Sequence, residues 1–148
     1  MQLRAVTVLK ILLVEDSLAT RRENERVLVK AGYDVVNAVD GESALELASQ
    51  EHPDLILLDM ILPKMSGPEV LEHLKSDSTT AHIPVIVVSS LSEKNRQKLI
   101  AAGAEDYLEK SQLVPAPGKN LLPKMLEDVL CRINRKRGIG FSSVPFSK

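Results

Sequence analysis

The sequence predicts an α/β domain in which helices wrap both faces of a parallel sheet, and three observations carry that reading. Short apolar runs and amphipathic stretches alternate five times at spacings of roughly 20 to 30 residues, the pattern of right-handed βαβ units. The apolar runs are near-continuous rather than alternating, as in Leu55-Ile56-Leu57-Leu58, so the strands are buried on both faces. These runs also end in charged or hydroxyl groups, and in parallel sheets the functional crevice lies outside the strands' carboxyl ends.

The elements follow in order. Residues 8–14 (V-L-K-I-L-L-V) form the first strand, which ends in Glu15-Asp16. Ser17 caps a helix running to Lys30, with Leu18, Val27, Leu28 and Ala31 on its sparse apolar face and arginine and glutamate elsewhere; Ala31-Gly32 closes it. Residues 33–39 give a shorter second strand. Asp40-Gly41 opens a helix whose buried side is Ala44, Leu45, Leu47 and Ala48, and His52-Pro53-Asp54 is the loop before the third strand. That strand is the run into Asp59. Residues 60–68 hold two prolines and a glycine, which marks a constrained loop, and Pro68 suits the first turn of the next helix. This helix carries Val70, Leu71 and Leu74 and ends in the polar run 76–80.

Residues 83–88 (I-P-V-I-V-V) form the fourth strand, ending in Ser89-Ser90, with Pro84 confined to its start or edge. Ser92 caps a helix through Ala102 that stops at Gly103, and residues 104–108 form a fifth strand leading to Glu109-Lys110. A loop covers residues 111–118. The last helix, from about residue 119, has the best amphipathic stripe: Leu122, Met125, Leu126, Val129, Leu130 and Ile133.

Composition bounds the function. A chain of 148 residues, 44% hydrophobic and 26% charged, fits one domain with a sizeable core. A formal net charge of -1 gives no overall pull toward nucleic acid or anionic membrane. The lone Cys131 has no internal disulfide partner, which favours a reducing compartment. Apolar runs are too short for a transmembrane helix or signal peptide, so the cytoplasm is the expected location. His52, His73 and His82 lack ligand spacing and read as surface residues, and the cluster 132–137 reads as a solvated helix terminus.

The strand ends carry Glu15 and Asp16, Asp59, Ser89 and Lys110, and in one parallel sheet these share an edge. An acid at a strand end is often only a turn former, and a lysine there is often only solvated; their convergence argues for chemistry. Three gathered carboxylates repel one another unless a cation sits between them, and few oxygen ligands plus waters suit Mg²⁺. A hydroxyl and an ammonium opposite leave a gap for a tetrahedral anion, which a phosphoryl group on Asp59 would fill.

With these residues in place, the chain resembles the receiver domain of two-component response regulators across about residues 8–134. The resemblance rests on Leu13-Val14-Glu15-Asp16-Ser17, on Asp59-Met60-Ile61-Leu62-Pro63-Lys64-Met65-Ser66-Gly67, on Ser89 at 30 residues past Asp59, and on Tyr107 three before Lys110. It implies a flavodoxin-like fold, a five-stranded parallel sheet in the order 2-1-3-4-5 flanked by five helices. It also implies that Asp59 accepts a phosphoryl group from a histidine kinase or phosphotransfer protein. Glu15, Asp16, Asp59 and the backbone carbonyl of Ile61 would hold Mg²⁺. Ser89 resembles the switch hydroxyl that bonds a phosphoryl oxygen, Lys110 its ion-pair partner, and Tyr107 the aromatic that rotates inward on activation. The output would be altered binding of a downstream protein rather than enzymatic turnover, and the face of the fourth helix, fifth strand and fifth helix could join two copies.

This sequence departs from the family pattern at several positions. Ser111 follows Lys110 where a proline, often with a cis bond, is usual, so a trans bond is expected. Glu15 stands where many members have aspartate, and its longer side chain still reaches the cation. Ile61 and Leu91 are apolar where the family borders the attacking water's path, so slow self-dephosphorylation is expected. Two functional rivals are a non-phosphorylated docking scaffold and an aspartate-nucleophile phosphohydrolase, whose second acid would stand where Ile61 does. The expected division is a leader at 1–7, a receiver at 8–134 and a flexible basic, Gly/Ser-rich tail at 135–148. A third alternative is one domain of a hybrid kinase or transcription factor; no helix-turn-helix or catalytic module is recognisable after Ile133, which favours the single-domain case, although a trimmed chain would look the same.

Overall fold

The computed structural model describes residues 8–90 and 93–137. Five parallel strands, β1 (Lys10–Val14), β2 (Asp34–Ala38), β3 (Leu55–Asp59), β4 (Val85–Ser89) and β5 (Asp106–Glu109), form one sheet in the order β2-β1-β3-β4-β5. Among the described residues six helices surround it: α1 (Leu18–Lys30), α2 (Gly41–Glu51), α3 (Gly67–Ser76), α4 (Arg96–Ala101), α5 (Lys110–Leu113) and α6 (Leu122–Arg137). The predicted strand order and parallel sense are borne out.

The sheet separates two cores, and β3 shows why its sequence is uniformly apolar. Leu55 and Leu57 face the core shared with Leu28 of α1 and with Leu122, Leu126 and Leu130 of α6. Ile56 and Leu58 face the other, with Ala44 and Ala48 of α2, Val70, Leu71 and Leu74 of α3, and Leu99 of α4. Successive side chains point to opposite faces, and here both faces are covered. Each fully buried Leu or Ile contributes roughly 1.5 to 3 kcal/mol of burial, so β3 is held firmly on both sides.

Local signals set the helix ends. Ser17 accepts from Thr20 N–H at 3.4 Å to cap α1. Asp40 and Ser43 form a reciprocal box at the start of α2, as Ser66 and Glu69 do for α3. Helices α1 and α4 both close on a glycine with positive φ, Gly32 (103°) and Gly103 (117°). In each, two N–H groups reach back into the last turn: Tyr33 to Leu28 and Gly32 to Val29, Ala104 to Leu99 and Gly103 to Ile100. Tyr33 is thereby buried as part of a cap rather than opening β2, and Val39 lies past the strand and 45% exposed.

Other boundaries also move. The predicted count of five helices becomes six, because residues 110–113 of the expected β5–helix connection coil into α5. Helix α4 begins at Arg96 after a 3-10 turn, Glu93–Asn95; its predicted cap, Ser92, lies outside the described residues. Helix α6 starts at Leu122, whose N–H is taken by Asn120 Oδ1 at 2.9 Å, and runs through Arg137. Residues 135–137 are therefore helix rather than the start of a tail, while 1–7 and 138–148 lie outside the described residues. Among the described residues no helix is long and apolar enough to cross a membrane.

Candidate functional site

Strand register brings the predicted residues to one edge. Val14 of β1 pairs with Leu58 of β3, so Glu15 and Asp59 leave the sheet at the same level. Asp59 pairs with Val88 of β4, which sets Ser89 one residue further along, and Ser89 pairs with Glu109 of β5, immediately before Lys110. Glu15, Asp59 and Ser89 are all buried, whereas Asp16 is exposed.

The loop after Asp59 is built to hold that acid. Gly67 N–H donates to Met60 O at 3.0 Å. A Cβ on Gly67 would stand 2.4 Å from Met60 Cα and 2.8 Å from the Asp59 carbonyl oxygen, so only glycine permits this backbone-to-backbone approach. The Ile61 N–H meanwhile donates to Asp59 Oδ1 at 3.2 Å, and the Ile61 side chain points outward, 56% exposed.

Lys110 Nζ donates to Glu15 Oε1 at 2.9 Å and to Asp59 Oδ2 at 3.2 Å. Ser17 N–H donates to Glu15 Oε2 at 3.1 Å. Burial raises the Glu15 carboxyl above its ordinary 4.5; the Lys110 hydrogen bond opposes this, and the nearby Asp59 charge adds to it. Burial works against the Lys110 ammonium, but its bonds and attraction to Glu15 and Asp59 outweigh that and raise its pKa above 10.5.

Glu15, Asp16 and Asp59 each offer a carboxylate oxygen, and these oxygens lie within 4.8 Å of one another; among the described residues this is the one such acidic or metal-ligating group. Three hard, anionic oxygen donors suit Mg²⁺. Octahedral ligation at about 2.0–2.1 Å places ligand oxygens roughly 3 to 4 Å apart, a small contraction from this arrangement.

The remaining predictions divide. Tyr107, opposite Val87 in the β4–β5 ladder, is 2% exposed and packs in the core with Leu99 and Ala104. No peptide bond among the described residues is cis, and Lys110 opens the short helix α5 instead of an extended loop. His52, His73 and His82 are exposed, as expected, and Leu91 lies outside the described residues.

Two groupings escaped the sequence reading. Arg21, taken there as part of an exposed face, donates from Nη1 to the Glu15 carbonyl at 3.0 Å and to the Asp16 carbonyl at 3.5 Å. Asp106, at the start of β5, is 2% exposed and accepts from Arg96 at 2.8 Å, Arg132 at 2.5 Å and Tyr107 N–H at 2.7 Å. Arg132 thus belongs to an ion pair rather than only to a solvated terminus. The partners are 10 and 26 residues away in the chain, so no local motif announces them.

Comparison with known proteins agrees with this geometry. The response regulator receiver domain family matches residues 11–115. The polar-differentiation response regulator DivK of Brucella ovis is 37% identical over 106 residues, covering 71% of this chain and 86% of DivK. The response regulator PleD of Caulobacter vibrioides is 41% identical over 102 residues, 68% of this chain, which spans only 22% of PleD's length. The solved receiver domain of the sensor histidine kinase PA1611 from Pseudomonas aeruginosa, with a magnesium ion coordinated in its active site cleft, aligns at a TM-score of 0.69 and 29% identity. That alignment covers 85% of this chain and 97% of PA1611's receiver. The acids at the ends of β1 and β3 and the lysine after β5 thus sit in a fold that two-component signalling is known to use, and the chain belongs to the response regulator receiver domain family.

Proposed function

We propose that this receiver accepts a phosphoryl group on Asp59 from a histidine kinase or phosphotransfer protein in a Mg²⁺-dependent reaction. The observation that carries it is the placing of Asp59: its carboxylate lies within 4.8 Å of those of Glu15 and Asp16 and 3.2 Å from the Lys110 ammonium. A carboxylate oxygen of Asp59 forms the new bond to phosphorus as the phosphorus–nitrogen bond of the donor phosphohistidine breaks. The leaving imidazole nitrogen keeps the electron pair and takes up a proton. Lys110, already hydrogen-bonded to Asp59, transfers its bond to a phosphoryl oxygen as charge develops there. Mg²⁺ held by Glu15, Asp16, Asp59 and the Ile61 carbonyl would neutralise the transferring group.

Ser89, at the end of the strand beside Asp59, is the hydroxyl donor to the product, and the shift it makes is passed along β4 and β5 to Tyr107. The output is binding of a downstream protein, not turnover, and the setting is the cytoplasm. Partner binding extends to a homodimer through the face of α4, β5 and α6. Sizing with and without a phosphoryl mimic tests that, and a monomer under both conditions removes it.

Incubation with acetyl phosphate and Mg²⁺ should raise the intact mass by one phosphoryl group, and Asp59→Asn should not respond. No mass gain, or equal gain in the variant, would leave the docking-scaffold reading in its place. Exposed, apolar Ile61 offers no acid or amide to orient an attacking water, so the phosphoryl group should persist well beyond seconds. Turnover of a phosphate ester would instead favour the phosphohydrolase.

A further inference from the structure

Glu15 and Asp16 are consecutive residues, and in extended chain consecutive side chains point to opposite sides. For both carboxylates to face one cation, the peptide between them must be turned and held. Glu15 N–H is fixed by Ala38 O at 3.0 Å, which secures the strand side of this turn. The carbonyl of the Glu15–Asp16 peptide is held by Arg21 Nη1 at 3.0 Å, and the same nitrogen lies 3.5 Å from the next carbonyl, that of Asp16. Arg21 is itself fixed, because it stands in α1 with its N–H on Ser17 O at 2.8 Å, and α1 buries Asn24 and Leu28 against the domain. The guanidinium thus spans from a packed helix to the one peptide whose orientation decides whether the two acids converge.

We propose that Arg21 is a positioning residue for the metal site: by holding the Glu15–Asp16 peptide, it turns both carboxylates toward a single cation. This rests on the Mg²⁺ reading above. The residue acts through main chain rather than on the ligand. Such outer supports of metal ligands commonly change affinity by about ten-fold or more when removed. Lysine can restore the charge and one hydrogen bond but not the rigid planar fork.

The test is Mg²⁺ titration by calorimetry on the full chain, with the thermal midpoint in EDTA measured alongside. Arg21→Ala should weaken Mg²⁺ about ten-fold or more, while Arg22→Ala, which removes an exposed charge from the same helix, should stay within about two-fold of the parent. Arg21→Lys should fall between the parent and Arg21→Ala, and it serves as the informative variant if the alanine form does not fold. Parent-like affinity in both Arg21 variants, or an equal loss in Arg22→Ala, overturns the positioning role. A parent that binds no Mg²⁺ overturns the metal reading as well, whereas a parent that binds it with Arg21 variants unchanged sinks the positioning role alone.

Discussion

The two ends of β5 each carry a buried-carboxylate cluster, and the two are balanced in opposite ways. At its start, Asp106 has a side chain only 3% exposed and meets two guanidiniums and a backbone N–H, so cations outnumber anions. Past its end, Lys110 is the cation paired with Glu15 and Asp59 among the described residues, with Asp16 close by, so three carboxylates share one ammonium. The first cluster is closed: every acceptor it buries is met from α4, α6 and the strand itself. In the second, burial and then the Asp59 charge raise the Glu15 carboxyl despite Lys110, and that excess of negative charge is what a cation can use. Burial of acids alone does not distinguish a site from a brace; the local charge balance does.

Breaking the brace should have the larger effect. Asp106→Ala removes an acceptor shared by a backbone N–H and two arginines, but Arg96 keeps its bond to the Tyr107 carbonyl at 3.1 Å, and the Arg96 and Arg132 side chains, 38% and 55% exposed, can hydrate. The expected loss is about 2 to 4 kcal/mol, read from urea unfolding; a loss below about 0.5 kcal/mol would dismiss the brace. Neutralising an acid in the second cluster should have the reverse sign. Without divalent ions at neutral pH, Glu15→Gln should gain roughly 0.5 to 1 kcal/mol, and added Mg²⁺ should favour the parent and shrink that gain.

The pH dependence sharpens the same contrast. Because the Glu15 carboxyl is raised, the folded chain holds its proton to higher pH than the unfolded chain does. Its destabilisation is therefore absent below the ordinary value of 4.5 and complete once the pH passes the folded value, so the advantage of Glu15→Gln should open as pH climbs from about 4.5. Lys110 runs the other way: its stabilisation holds below 10.5 and is lost as the pH rises through its folded value. Melts in EDTA at stepped pH measure both, and a gap between parent and Glu15→Gln that stays flat with pH would refute the account of Glu15 as an acid destabilised by burial and by the Asp59 charge.

These differences also explain what could be read from the chain. The four apolar residues before Asp59, the acids after β1 and the lysine after β5 are legible because strand burial and strand-end chemistry are local patterns. The fold's strand order then brings them together. Helix α5 was not legible, since Lys110 to Leu113 is a single turn with no periodicity to display. Asp106 looked like an ordinary strand residue, because its burial is made by arginines from α4 and α6 that only the folded chain delivers. Arg21 looked like one more surface charge, because its target is a carbonyl, and every residue has one.

The approach of Gly67 to the Asp59 main chain bears on how this receiver can diverge. The main chain at Asp59 is held by the close Gly67 backbone, and one carboxylate oxygen by the Ile61 N–H, so neither contact uses the Ile61 side chain. The exposed Ile61 side chain can therefore drift through substitution while the nucleophile keeps its place, which leaves that part of the rim free to acquire new partner preferences within an unchanged chemistry.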